Sequence, residues 1–119
     1  MLIPFYPFGI ARCQKIIENL IDILTDDRLY AINTHSDLDY VRITQKRISN
    51  HLNVLNDYSE KNGFGKKMAY IKIQFDAYWD LISNHISDIE HLKNSQKDLL
   101  NYITNIEGRL TEVMFELHK

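Results

Sequence analysis

Few residues in this 119-residue chain have types and spacings suited to chemistry. His35, His51, His85, His91 and His118 are the histidines. Asp88 and His91 stand one helical turn apart, with His85 a further turn away. Bundle metal sites use such acid–His pairs, but repeat them on a second helix and add inward glutamates. Here there is one copy and no such glutamate, so no metal site is expected, and His85 reads as a half-buried core histidine. Arg28 and His35 bracket the octapeptide RLYAINTH, a pair in which arginine could hold phosphate and histidine move a proton. Cys13 falls at an apolar position without a His–acid neighbour, the setting of an inert thiol. Gly63-Phe64-Gly65 is too short for a phosphate loop and is followed by lysines in the wrong order. No cofactor and no small-molecule substrate are expected.

The Arg28–His35 pattern resembles that of helical-bundle ribonucleases of the HEPN type, which carry it at a dimer interface. The resemblance covers eight residues and implies a dimeric ribonuclease with Arg28 on phosphate and His35 as proton carrier. It departs from the family in falling early in the chain. A helical hairpin turning on a midpoint glycine is similar in shape to small type VII secretion substrates. However, Trp79 lies inside a helical stretch rather than at a Trp-x-Gly turn, and Tyr102 to Glu107 has the wrong gap for their tail signal.

Side chains suited to recognition are more plentiful. Arg42, Lys46 and Arg47 form a cationic strip at helical spacing, and Lys61, Lys66, Lys67 and Lys72 crowd the glycine turn. Asp57 and Glu60 dilute the latter group, and few aromatics interleave with it, which disfavours nucleic acid. Trp79 and Phe115 each stand one position off the apolar seam and are interface candidates. The opening MLIPFYPFG holds two prolines and no charge; it reads as an extended apolar tail over residues 1–9. Its Phe5, Tyr6 and Phe8 are expected to plug the open end of the domain near Phe115 and Leu117, or to reach into a second chain.

Composition sets the frame for these candidates. With 45% hydrophobic and 25% charged residues, the chain is an ordinary globular one. Its formal net charge of −2 supplies no global field for nucleic acid or anionic lipid. One cysteine excludes an intramolecular disulfide and fits a cytoplasmic setting. No window approaches a membrane span, and the tail is a poor signal peptide. Heavy Asn, Ile and Lys usage suggests a bacterial or phage genome rich in AT.

The elements that must position the candidates are helices. From Ile10 to Leu55, steps of three and four residues meet fourteen positions, eleven of them apolar; Asp27, Thr34 and Gln45 are the exceptions. From Met68 to Leu117 the same stepping meets fifteen positions, thirteen of them apolar, with His85 and Gln96 the exceptions. Between the runs, Gly63 and Gly65 should reverse the chain in a turn over 62–65. Off-stripe Tyr70, Ile73, Ala77 and Leu81 form a second stripe that asks for neighbours on more than one side.

The expected fold is an all-α antiparallel bundle over residues 10–119. If both arms break, at 33–36 and 94–95, helices fall near 10–33, 37–62, 66–93 and 95–118, with Ser36 and Ser95 as N-caps. If neither breaks, two long hairpins dimerise into a four-helix bundle. The expected function is a small non-enzymatic protein–protein interaction module (an inhibitor, an immunity- or antitoxin-like protein, or an assembly subunit) whose partners include its own copies.

Overall fold

A computed structural model describes residues 5–118, with burial defined from Gly9. Its helices are α1 (Phe5–Leu24), α2 (His35–Ser59), α3 (Gly65–Asn84), α4 (Ile89–Asn94) and α5 (Gln96–Leu117). A single 3-10 turn, Asp27–Leu29, lies between α1 and α2. The described residues form no strand.

The four long helices close a ring. α1 packs on α2 and α5, and α3 on the same two. Neighbours run antiparallel: Gly9 lies beside the Tyr58 ring, Lys67 pairs with Glu116 at 2.8 Å, and Gln74 meets Asn105 at 3.0 Å. The seam positions fill the interior. Ile17, Leu20, Val41, Ile48, Leu55, Ile71, Tyr78, Ile82, Ile106 and Leu110 are fully buried. Each such aliphatic side chain contributes roughly 1.5–3 kcal/mol of transfer free energy. One exception to the seam resolves itself: Thr44 is buried where the even stepping pointed to Gln45, because α2 takes its three-residue step one turn early.

Both arms break, so the intramolecular four-helix arrangement holds and the uninterrupted hairpins do not. The breaks differ in part from those expected. α1 stops at Leu24, not near 33, because residues 25–34 fold over the bundle end and insert Leu29 and Ile32, both fully buried. Tyr78 secures this crossing by donating its hydroxyl to the Leu29 carbonyl at 2.6 Å. α2 is capped by Thr34, not Ser36. The Thr34 hydroxyl accepts from the Asp37 amide at 3.1 Å, and the Asp37 carboxylate accepts from the Thr34 amide at 3.0 Å. That reciprocal box satisfies two amides that would otherwise lack partners and is worth about 1 kcal/mol.

The second arm breaks twice: at Ser95, as expected, where α4 gives way to α5, and also at 85–88, which was not expected. Asp88 caps α4, its carboxylate accepting from the His91 amide at 3.0 Å. Ser95 bends the chain between α4 and α5. Its buried hydroxyl donates back to the His91 carbonyl at 2.8 Å and so caps nothing.

At the midpoint, only Gly63 is left-handed (φ 77°), whereas Gly65 opens α3. The Phe64 amide donates to the Ser59 carbonyl at 2.9 Å and the Gly63 amide to Glu60 at 3.3 Å. This is a Schellman end with buried Phe64 as its apolar lock.

The extended tail needs correction from Phe5 onward, where α1 begins. Pro7 stands in the first turn, where a helix amide has no intrahelical acceptor to lose. Residues 1–4 lie outside the described residues.

Candidate functional site

The structure sorts the sequence candidates by whether their polar groups are already engaged. Arg28 is engaged. Its guanidinium pairs with the Asp26 carboxylate at 2.8 Å and lies 3.7 Å over the Tyr40 ring. The Tyr40 hydroxyl donates to the same carboxylate at 2.6 Å. These bonds from Arg28 and Tyr40 hold the Asp26 carboxyl well below the usual carboxylate range. The cluster ties the 3-10 turn to α2. His35 is the exposed first residue of α2, and no hydrogen bond joins it to Arg28 among the described residues.

The other histidine candidate is also occupied. His85 and His91 stack with ring centroids 3.6 Å apart, and Asp88 is committed to the α4 cap. Stacked rings do not aim their nitrogens at one point. Among the described residues no three potential metal ligands gather. Cys13 is fully buried in α1, and burial pushes its thiol up, away from the nucleophilic thiolate.

Two of the open grooves among the described residues hold sequence candidates. The first lies between α1 and α5, where Ile21, Thr111, Met114, Phe115 and His118 line a groove of about 380 Å³. Phe115 is 72% exposed on its rim. At one end His118 meets Gln14 at 3.3 Å across the two helices. The side chains of Phe5, Tyr6 and Phe8, expected to plug this end, lie outside the described residues.

The second surface lies along α2 and α3. Asp39, Arg42, Ile43, Gln45, Lys46, Arg47, Asn50 and Trp79 line a groove of about 720 Å³. A smaller hollow shares Gln45 and Trp79 and adds Lys72, Phe75 and Asp76. Trp79 is half-buried and packs on the core with one side while facing the groove with the other. The cationic strip of α2 and the tryptophan of α3 are thus brought together.

Sequence reasoning missed Ile43, which is 66% exposed beside Trp79. Its signal was an isoleucine off the seam, flanked by Arg42. Ile73, counted in the second stripe of the third helix, instead faces solvent at 64% exposure. Of the turn lysines, Lys67 is taken up by Glu116 and Lys72 lines the smaller hollow. No protein-family model, curated protein or solved structure matches the chain.

Proposed function

We propose that this chain is a non-enzymatic interaction module that works by docking helical-bundle surfaces against other protein chains, its own copies first. The observation that supports this is Phe115. A phenylalanine left 72% exposed forgoes about 2 kcal/mol of burial. It also stands on the lip of a groove in which Ile21 and Met114 supply apolar surface beside Thr111 and His118. Knob and groove belong to the same patch, so a two-fold arrangement lets each Phe115 enter the groove of the other copy. Trp79 and, if they reach the surface, Phe5, Tyr6 and Phe8 extend the apolar area available to partners.

The ribonuclease reading would need Arg28 to leave both Asp26 and Tyr40 before it could take a phosphate. Sedimentation equilibrium tests the docking reading. The wild type should approach twice the chain mass with rising concentration, and Phe115→Ser should remain at the chain mass with an unchanged melting temperature. A wild type that stays monomeric up to about 1 mM, the limit of weak specific association, would overturn self-docking through Phe115.

A further inference from the structure

The α2–α3 groove carries a second inference, independent of Phe115. From Asp39 to Asn53 it follows α2 for about 21 Å at 1.5 Å per residue, the length of a helix of about fourteen residues. Exposed Ile43 and the outer side of Trp79 give it an apolar strip. Arg42, Lys46, Arg47 and Lys72 stand around that strip against two carboxylates, Asp39 and Asp76. The local surplus is positive in a chain whose net charge is −2. Ion pairs among the described residues engage Arg28, Lys67, Lys93 and Arg109, and none of these four cations.

We propose that this groove docks an acidic amphipathic helical segment of a partner protein. Aliphatic side chains of the segment cover Ile43 and Trp79, and its carboxylates meet Arg42, Lys46 and Arg47. Single-stranded nucleic acid fits less well. It asks for successive aromatic platforms along an unbroken cationic track, whereas here one aromatic stands beside an isoleucine and Asp39 and Asp76 interrupt the charge.

Trp79 is the only tryptophan, so all tryptophan emission arises at this groove. The experiment uses the full chain carrying Phe115→Ser, which removes self-docking from the readout. Four tryptophan-free probes of about fourteen units are titrated, each sized to the groove. They are a Glu/Leu peptide with leucines at i, i+3, i+4 and i+7, its scrambled isomer, a Lys/Leu counterpart and oligo(dT).

The striped acidic peptide should give a saturable change in Trp79 emission. Its affinity should fall about tenfold in Arg42→Glu/Lys46→Glu, in Ile43→Ser and with the scrambled isomer, one decade being the loss of roughly 1.4 kcal/mol. All three substituted positions are exposed, so both variants should melt with the parent. Several results would overturn the proposal: no saturation by about 1 mM, the limit of weak binding; equal binding of the scrambled or lysine peptide; or undiminished binding by both groove variants. Tighter binding of oligo(dT) would overturn it in favour of nucleic acid.

Discussion

Tyr78 and Leu29, forty-nine residues apart, are joined by a buried hydrogen bond of 2.6 Å from the phenol to the carbonyl. This bond fixes the α1–α2 crossing to the C-terminal half of α3. Burial also pushes the Tyr78 phenol above its usual range, which favours the protonated, donating form. Tyr78→Phe strands the Leu29 carbonyl and should cost about 1–3 kcal/mol in urea unfolding. An unchanged midpoint would show that the crossing is held by Leu29 and Ile32 alone.

Acid should weaken the same end of the molecule. The Asp26 carboxyl is lowered by its bonds from Arg28 and Tyr40, and that of Asp37 by backbone amides of Asn33 and Thr34. A depressed carboxyl contributes stability above its unfolded value, about 3.9, and loses it as pH falls through the folded one. Asp26→Asn should therefore be less stable than wild type at pH 7 by up to about 1 kcal/mol, a modest figure because the pair is solvent-screened. The gap should narrow steadily in urea titrations carried below about pH 4. A constant gap would mean that charge has no part in it.

Glu107 has the opposite sign. It is half-buried in α5, and desolvation raises its carboxyl above the ordinary value. Its charged form thus costs stability once pH rises past the unfolded value and through the folded one. Glu107→Gln should melt a degree or two higher than wild type at neutral pH, roughly what a few tenths of a kcal/mol produces in a domain of this size. The two proteins should converge as pH falls below the unfolded glutamate value of about 4.3. Equal melting at neutral pH would show that water already compensates the carboxylate.

The midpoint turn offers a paired test. An added Cβ at Gly63 meets nothing within 4 Å, so Gly63→Ala carries only the backbone cost of φ 77°, about 1–2 kcal/mol. At Gly65 the nearest atom is the Glu60 Cγ at 4.0 Å and the backbone is helical. Gly65→Ala should be neutral or slightly stabilising by thermal melting. Equal losses from both would contradict the assignment of Gly63 alone to the left-handed position.

The sequence by itself determined the helices and their inward faces. Three-and-four stepping is enforced locally by 3.6 residues per turn, so Ile17, Val41, Ile71 and Ile106 could be placed in the interior without knowing their neighbours. It also located the reversal, because Gly63 supplies a backbone conformation that other residues resist.

Only the tertiary structure decided that α1 stops at Leu24 and that α3 gives way at 85–88, ahead of the break expected at Ser95. Thr34 and Ser36 are both plausible caps, as are Asp88 and Ser95. The choice fell to what lay across the bundle: a core that takes in Leu29 and Ile32, a phenol that claims the Leu29 carbonyl, and burial that turns the Ser95 hydroxyl back on His91.

The candidate surfaces divide in the same way. Phe115 was legible as an aromatic off the seam. The α2–α3 groove was not, because Arg42 and Trp79 share no periodicity and meet only through antiparallel packing. Turn geometry acts within a few residues and leaves a trace in the sequence. Burial and charge complementarity act across space, and their outcome depends on which helices stand side by side.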